Sequence, residues 1–365
     1  MEITKRLRIL FLLAAVSLFG THHTLAANYA VGTCEPKLVS YSTISEAVRE
    51  VPSGAIVEVC PGQYPEQFTI NKPMTLEGIT SGNSNRVIIT VPSGGLSDNA
   101  ENYVAQVLVT AGPVTITNVI VDGSFNTVDG EYGLAGIYFD TGSSGTIKSV
   151  TTRGQLDSGH GVGILASSNT SALVTIENCS VHDFDYVGIL VDGGVTATIK
   201  GNHVNAVNAT ASVFGINLAA TGGSITDNDV IGPGYTVEGQ GITVSAAPIT
   251  VSANTVTNWA FGIVDYLFGS YTGNTLRNDE IGIDLINGGE TAESNTITQS
   301  ATAIGFNCLK STVKGNTIND VTYEGLGNVP SGLSSANTYF NVATILGTCT
   351  GAASAASPNM TPRRR

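Results

Sequence analysis

The stretch that decides the fold is VKGNTIND, residues 313–320, because variants of it recur along the second half of the chain. Each variant has an asparagine, a small or polar residue, and then a valine, isoleucine or leucine, as in KGNHVNAV from residue 200 and TGNTLRND from residue 272. The recurring asparagines lie 20 to 26 residues apart and are Asn178, Asn202, Asn228, Asn254, Asn274, Asn295, Asn316 and Asn337. Such a period predicts stacked structural repeats.

A second marker, glycine followed by isoleucine, accompanies the asparagines. Its members are Gly136-Ile137, Gly163-Ile164, Gly188-Ile189, Gly215-Ile216, Gly241-Ile242, Gly262-Ile263 and Gly282-Ile283, with Ala303-Ile304 and Gly325-Leu326 as weaker forms. Short runs of valine, isoleucine and threonine lie between the markers and end at turn-forming residues, a pattern typical of strands. Stacked about 4.8 Å apart, such strands would pair in parallel and direct their isoleucines into one core.

The repeated asparagine has two expected roles. It tolerates the left-handed backbone conformation at a turn, and its amide can hydrogen-bond to the asparagine of the next coil in a ladder. A leucine-rich repeat would have a similar period, but it needs an LxxLxL strand and a returning helix, neither of which is visible. We therefore predict an all-β chain, a single-stranded parallel β-helix of about eleven coils.

The two ends of the chain read differently from the repeats. Residues 1–26 have three basic residues, then the apolar run ILFLLAAVSLF, and then small residues, the pattern of a secretory signal peptide. Residues 43–55 form the one amphipathic stretch and predict a helix that caps the open end of the first coil. The β-helix domain is expected to span residues 27–350, and a disordered tail residues 351–365.

Charge and cysteine content limit the partners and the compartment. With 16 basic and 29 acidic residues, the net charge is −13, which argues against nucleic acid. Five cysteines in an exported chain predict disulfides, and the simplest pairing joins Cys34 to Cys60 and Cys308 to Cys349, leaving Cys179 as a buried thiol. Five histidines and no CxxC predict no metal site. We expect a secreted or periplasmic protein whose mature chain has no transmembrane segment; the sequence indicates neither a cofactor nor an oligomeric state.

The segment TISEAVREVPSGAIVEVCPGQYPEQFTINKPMTLEGI, from Thr43, resembles the entry segment of the right-handed parallel β-helix (pectin-lyase-like) superfamily. The Gly-Ile and asparagine repeats resemble the generic repeat of that superfamily over nearly the whole mature chain. The resemblance implies the fold, a right-handed parallel β-helix. It leaves the activity open, because this fold carries lyases, hydrolases, esterases, epimerases and proteins without enzymatic activity.

Short stretches resemble individual enzyme families within the superfamily. GQYPE (residues 62–66) and VDYLFG (residues 264–269) are similar to motifs of pectin methylesterases, which would make Asp265 the nucleophile. The QDT and GRxW motifs of that family are missing. SGHGVGI (residues 158–164) resembles the Gly-His-Gly of polygalacturonases, but the paired aspartates expected nearby are separated, as Asp183 and Asp185. A pectate lyase would need a basic residue beside a calcium site, and basic residues are scarce.

A candidate site also follows from aligning the coils on the Gly-Ile marker. The position three residues before the glycine holds Gly133, His160, Asp185, Ser212, Glu238, Trp259, Asp279 and Ser300. His160 and Asp185 would lie in adjacent coils about 5 Å apart, which predicts an acid–base pair. Arg153, Asp157 and Asp183 lie nearby in sequence and complete the predicted catalytic group. The alternative is that exposed turns are simply polar.

Tyr235, Glu238 and Trp259 are predicted to bind sugar, with Trp259 as a stacking platform. The long loops at residues 127–136 and 230–241 precede Gly-Ile strands, and insertions on one face of a solenoid often mark its binding face. Two classes of function remain open at this point. The first is a protein that binds or processes an extracellular polysaccharide across the Gly-Ile face. The second is a non-catalytic solenoid that serves as a cell-envelope or surface binding module.

Overall fold

The computed structural model describes residues 26–80, 87–128, 133–245, 249–333 and 336–349. In these residues the chain forms 31 strands and one short helix. Every strand pairs in parallel with strands one coil before or after it, so the chain winds as a β-helix with three walls. The expectation of an all-β parallel solenoid is confirmed. The predicted signal peptide and the C-terminal tail lie almost entirely outside the described residues.

The first wall, called here the Gly-Ile sheet, contains β5 (Phe68–Ile70), β8 (Tyr103–Val109), β11 (Gly133–Phe139), β20 (Gly239–Val244), β23 (Phe261–Asp265), β26 (Ile281–Leu285) and β29 (Thr302–Phe306). The second sheet contains β1 (Asn28–Val31), β3 (Ile56–Val59), β6 (Met74–Gly78), β9 (Val114–Thr117), β12 (Gly145–Lys148), β21 (Ile249–Ser252), β24 (Ser270–Thr272) and β27 (Thr291–Glu293). The short β2 (Val39–Tyr41) pairs with β1.

The third sheet contains β4 (Gly62–Pro65), β7 (Val87–Thr90), β10 (Val119–Asp122), β13 (Thr151–Gln155), β15 (Ser180–Phe184), β17 (His203–Asn205), β19 (Asp229–Ile231), β22 (Thr255–Thr257), β25 (Thr275–Arg277) and β28 (Thr296–Thr298). Three long strands bend from the Gly-Ile sheet into the second sheet, namely β14 (Val162–Glu177), β16 (Val187–Lys200) and β18 (Val213–Thr226). At the C-terminal end, β30 (Thr312–Val329) and β31 (Ala336–Thr348) contribute to all three walls.

The Gly-Ile marker sets the register of the first wall. Ile164 lies opposite Ile137 and Ile189, Ile189 lies opposite Ile216, and the same row continues through the later coils to Leu326. Every member of the row is fully buried. The prediction that these isoleucines form one internal stack is confirmed.

The asparagines form the predicted ladder at the turn between the second and third sheets. In each step the backbone N–H and the Nδ2 of one asparagine donate to Oδ1 of the next, at 2.8–3.0 Å. The second Nδ2 hydrogen donates to a strand carbonyl of the preceding coil, for example from Asn254 to Ile225. The buried amides of Asn202, Asn228, Asn254, Asn274, Asn295 and Asn316 are therefore satisfied within the ladder.

Two details of the asparagine prediction were wrong. The left-handed conformation belongs to the residue before each ladder asparagine from Asn202 to Asn316, such as Asp227 (φ 57°) and Ala253 (φ 57°), because the turn precedes the amide. Asn178 (φ 54°) stands at that turn position, and the ladder position of its coil is held by Cys179. The N–H of Cys179 donates to Asn202 at 2.9 Å, and its Sγ lies 3.6 Å from the Ile147 carbonyl.

The predicted helix is present but shorter than the stretch 43–55. Helix α1 (Ile44–Glu50) starts at Thr43, whose side chain accepts from the Glu46 N–H, and it buries Ile44, Ala47 and Val48. Its N-terminus is anchored by Glu66, the last residue of the GQYPE stretch, which accepts from the N–H groups of Ile44 (2.9 Å) and Ser45 (2.7 Å). The helix gives way to β3 because the sequence from Ala55 alternates buried and half-buried residues, as a strand does.

Both expected disulfides are present. Cys34 is bonded to Cys60 and Cys308 to Cys349, with Cα–Cα distances of 5.7 and 5.8 Å. Cys179 is the free cysteine of the described chain, and burial raises the pKa of its thiol to about 12. In the described parts of the chain, no helix has the length and apolar character needed to cross a membrane.

Candidate functional site

The loop at residues 157–161 is organised around the carboxylate of Asp185. Oδ2 of Asp185 accepts from the N–H groups of Asp157 (2.8 Å) and Gly159 (3.0 Å), and Oδ1 accepts from that of Gly161 (2.7 Å). Both carboxylate oxygens are thus engaged by the backbone of the preceding coil. Asp185 positions this loop.

The predicted acid–base pair of His160 and Asp185 is not formed. His160 is exposed, and its Nδ1 lies 3.3 Å from the carbonyl oxygen of Asp157. The two residues do lie in adjacent coils. However, backbone N–H groups of the loop occupy both oxygens of the Asp185 carboxylate, and the imidazole of His160 does not bind it. Asp157, also predicted to be catalytic, is buried beneath the loop.

Arg153 and Asp183 belong to a different surface, the outward side of the third sheet. Arg153 lies between Asp122 and His182 in register, and its guanidinium binds Asp122 at 2.8 Å. Asp122 is 31 residues away in sequence, so the pair was not apparent from a local motif. Burial acts to raise the pKa of Asp122, but hydrogen bonds from Ser124 and Arg153 bring it below the usual value.

Asp183 has its own partners on that surface. Its carboxylate contacts Nδ1 of His182 (2.7 Å) and accepts from Nδ2 of Asn208 (2.8 Å). Burial acts to raise the pKa of Asp183, but these contacts lower it below the usual value. The five residues predicted to be catalytic are therefore divided between a loop and an ion-paired sheet surface, and they do not converge on one point.

The three residues predicted to bind sugar are also separated. Tyr235 (52 % exposed) and Glu238 lie on the loop before β20, whereas Trp259 is fully buried. Its indole fills space left by Gly232 and Gly241, and Nε1 donates to the Val230 carbonyl at 3.2 Å. The prediction that Trp259 is a stacking platform was wrong, because the short turn before β23 directs its side chain into the core.

Asp279 lies one coil after Trp259. Like Trp259, it stands three residues before a Gly-Ile marker and is buried. Its Oδ1 accepts from the Trp259 N–H at 2.9 Å, and its buried Oδ2 has no hydrogen-bond partner among the described residues. Burial raises the pKa of Asp279 well above the usual value, against the hydrogen bonds from the backbone of Trp259 and Arg277. Its carboxyl group is thus favoured in the neutral form.

Asp279→Asn is expected to stabilise the protein at pH 7. Because the folded-state pKa is raised, the stability contributed by Asp279 is complete below about pH 4, the unfolded value, and is lost as the pH rises through the folded pKa. In thermal melts from pH 3 to pH 8, the Tm of Asp279→Asn should exceed that of the parent, and the difference should appear only as the pH rises. Parallel curves for parent and variant would contradict a neutral Asp279. Asp227→Asn, at an exposed turn, is the control.

Asp265, the residue implied by the methylesterase-like stretch, also points inward. It stands in the row of Val244 and Leu285, is fully buried, and accepts from the N–H groups of Leu267 and Gly269 at 2.6 Å. Burial raises its pKa. This carboxyl group closes a turn and is not available to a polymeric substrate.

The outer face of the Gly-Ile sheet, the side turned away from the core, carries a feature that sequence reasoning missed. In the N-terminal half it is apolar and forms a cluster separate from the core, made of Ala105, Leu108, Ala135, Tyr138, Val162, Leu165, Val187, Leu190 and Phe214. Tyr103 and Tyr186 pack against this cluster and remain half-buried, in edge contacts with Tyr138 and Phe214.

In the C-terminal half the same face becomes polar. Thr243 donates to Oε1 of Gln240 at 2.7 Å, and Nε2 of Gln240 donates to the Tyr266 hydroxyl at 3.3 Å. Asn217 begins this half, and its buried Oδ1 has no hydrogen-bond partner in the described chain. Asp284 and Glu324 complete it, both half-buried. The outer face is thus a strip with an aromatic half and a hydrogen-bonding half.

Comparison with known proteins agrees with this architecture. The family profile described as "Right handed beta helix region" matches residues 105–281. The chain has the fold of a right-handed parallel β-helix. No curated protein sequence matches it. Among solved structures, the Dettilon tailspike protein is 15 % identical with a TM-score of 0.52, and the alignment covers 79 % of this chain and 62 % of the tailspike.

Two enzymes with β-helix structures are also similar in shape. Pectin methylesterase PemA from Erwinia chrysanthemi is 12 % identical, with a TM-score of 0.46 and coverage of 68 % of this chain and 90 % of PemA. The GH136 lacto-N-biosidase from Eubacterium ramulus is 10 % identical, with a TM-score of 0.48 and coverage of 88 % and 68 %. The family match and the similarity to the tailspike protein support the fold, and the activity is left to this chain's own residues.

Proposed function

We propose that this protein binds or processes an extracellular polysaccharide along the outer face of the Gly-Ile sheet. The observation that carries the proposal is the set of half-buried aromatic and acidic side chains on that face, namely Tyr103, Tyr186, Phe261, Tyr266, Asp284 and Glu324. Aromatic rings accept the apolar faces of sugar rings, and carboxyl and amide groups accept their hydroxyls. These side chains are spread over the coils from β8 to β30, which suits a linear polymer better than a small ligand.

The proposal also includes export of the protein and the organisation of the two ends of its chain. Disulfides form in oxidising compartments, so the two bridges support a secreted or periplasmic protein. We retain residues 1–26 as signal peptide, residues 27–350 as the β-helix domain of about eleven coils, and residues 351–365 as a tail. The buried face of α1 supports its role as the cap of the first coil.

A second candidate is a non-catalytic surface module. It is favoured by the fact that three of the residues predicted to be catalytic have structural partners: Arg153 is paired with Asp122, Asp183 contacts His182, and Asp185 accepts from a backbone loop. In this case the strip would bind without turnover.

Removal of an aromatic side chain from the strip is expected to weaken polysaccharide binding. Affinity electrophoresis against soluble xylan, galactan, mixed-linkage glucan and polygalacturonate should reveal at least one polymer that retards the parent. Tyr186→Ala should weaken the binding at least roughly fivefold, because a stacking contact is worth about 1 kcal/mol or more. Phe340→Ala, which removes an exposed aromatic from the third-sheet part of β31, is the matched control.

The outcome distinguishes the strip from the sites predicted by sequence. Loss of binding in Tyr235→Ala, with Tyr186→Ala unchanged, would place the ligand on the loop before β20 and contradict the proposal. No retardation of the parent by any polymer would contradict carbohydrate binding as a whole.

A further inference from the structure

Two carboxyl groups on the outer face have no hydrogen-bond or ion-pair partner among the residues that the structure describes. Asp284 in β26 and Glu324 in β30 are half-buried, and neither side chain makes a hydrogen bond or ion pair to another described residue. This separates them from Asp183 and Asp185 of the predicted cluster, whose carboxylates are held by His182 and Asn208 and by backbone N–H groups, respectively. A half-buried carboxyl group without a partner is costly to the fold, which points to a ligand-related role.

Three stacked glycines make room for these carboxyl groups. Gly305 follows Asp284 in register, and Gly327 follows Gly305. Gly347 comes directly after Leu346, the β31 partner of Leu326. A Cβ at Gly305 would lie 3.0 Å from Oδ1 of Asp284, and one at Gly327 would lie 2.7 Å from Oε2 of Glu324. A Cβ at Gly347 would overlap the Glu324 carboxylate. Side chains at these positions would push both groups off the sheet.

The register sets the distance between the two groups. Gly305 and Gly327 are partners in adjacent coils, about 4.8 Å apart. Oδ1 of Asp284 lies 3.0 Å from the Cβ position of Gly305, and Oε2 of Glu324 lies 2.7 Å from that of Gly327. Taken together, these three distances place the two carboxyl oxygens at most about 11 Å apart. Asp284 and Glu324 themselves lie two coils apart, a separation of about 10 Å between their backbones. Glycosidases that invert the anomeric centre hold their two carboxyl groups about 6.5–9.5 Å apart, which leaves space for a water molecule.

The surroundings of Asp284 suit a proton donor. Burial, together with the charge of the buried Glu290, raises the pKa of Asp284 to about 6. Tyr266 and the Gln240–Thr243 pair lie on the same strip and offer hydroxyl and amide groups to sugar hydroxyls. Asn217, three coils before Asp284 in the same outward row, adds a buried Oδ1 without a partner among the described residues.

We propose that Asp284 and Glu324 are a catalytic pair that hydrolyses a glycosidic bond of the polysaccharide bound along the strip, with inversion. The protonated carboxyl of Asp284 gives its proton to the glycosidic oxygen, and the C1–O bond breaks with its electron pair moving to that oxygen. Glu324 removes a proton from a water molecule while the water oxygen bonds to C1 from the opposite side. One water is consumed per bond, and solvent returns the proton from Glu324 to Asp284.

This inference rests on the proposed function, since it requires a polymer on the strip, and the test separates the two. Each polymer that binds in affinity electrophoresis is incubated with the parent, and new reducing ends are measured. We expect reducing-end release from at least one bound polymer. A polymer that binds without any release overturns the catalytic pair and leaves binding intact. Absence of binding overturns both.

The variants identify the two roles. Asp284→Asn and Glu324→Gln should each lower the rate at least roughly 100-fold, with polymer binding within about threefold of the parent. Glu280→Gln, an exposed acid in the loop before β26, should retain the parent rate. Gly347→Ala keeps Glu324 but displaces its carboxylate, and should lower the rate at least tenfold with an unchanged melting temperature.

The pH profile provides a readout that a structural role would not change. The parent rate should fall above about pH 6, as Asp284 loses its proton. Asp284→Asn should retain residual activity without this alkaline decrease. Parent-like rates in Asp284→Asn or Glu324→Gln, or an alkaline decrease that persists in Asp284→Asn, would overturn the assignment.

Discussion

Ile189→Asp is expected to prevent the protein from folding. Ile189 is fully buried and lies in register between Ile164 and Ile216 in the continuous aliphatic row of the Gly-Ile sheet. A carboxylate there would have no charge partner, and its burial would cost about 5 kcal/mol or more, comparable with the whole stability of many proteins. We expect loss of soluble exported protein, or a strongly lowered melting temperature where material is recovered.

The matched variant at the same position is Ile189→Val. It removes one methylene group from the row and should cost about 1 kcal/mol. If Ile189→Asp were exported in normal yield and melted with the parent, the inward orientation of this row would be wrong. The measurements are secreted yield and thermal unfolding followed by circular dichroism.

Asn254→Ala is expected to produce the second-largest loss of stability. The Asn254 side chain accepts from the N–H and Nδ2 of Asn228 and donates to Oδ1 of Asn274 and to the Ile225 carbonyl. Truncation leaves several of these buried groups without partners, each at about 1 kcal/mol or more, for a total of about 4 kcal/mol. Urea unfolding should show a lower midpoint.

Two variants elsewhere in the ladder test this explanation. Asn337→Ala, at the half-buried end of the ladder, should cost less than Asn254→Ala because fewer buried groups lose a partner. Cys179→Asn should extend the ladder by one step, since the Cys179 Sγ lies near the Ile147 carbonyl that an amide there would bind. It should raise stability by about 1 kcal/mol. Equal effects of Asn254→Ala and Asn337→Ala would show that the ladder is not cooperative.

The contrast between the predicted and the observed site has a geometric origin. Counting back from the Gly-Ile marker places His160, Asp185, Glu238, Trp259 and Asp279 at one position, but the turn before that marker differs in length between coils. From Asn202 to Gly215 and from Asn228 to Gly241 the chain takes 13 residues, whereas from Asn254 to Gly262 it takes eight. Where the turn is short, the residue three before the glycine points into the core, as Trp259 does. Where the turn is long, that residue lies on an outer loop, as Glu238 does.

The partners of charged side chains were hidden for a related reason. Arg153 binds Asp122 of the preceding coil, and Asp185 binds the backbone of a loop 24 to 28 residues earlier. A local motif around Gly-His-Gly suggested a catalytic group, but side-chain direction and competition with backbone N–H groups decide which contacts form. Asp284 and Glu324 had no motif at all, because their distinguishing property is the absence of a partner among the described residues.

The sequence by itself determined the fold, the register of the coils, the asparagine ladder and the two disulfides. These follow from the repeat, since each coil pairs with the next by the same backbone geometry and each marker occupies a fixed corner. Tertiary structure alone decided which side chains face outward beside the variable turns, that Cys179 replaces an asparagine, and that Asp284 and Glu324 lie over stacked glycines. These depend on contacts between coils at positions where the repeat is not kept, so no single stretch of sequence contains them.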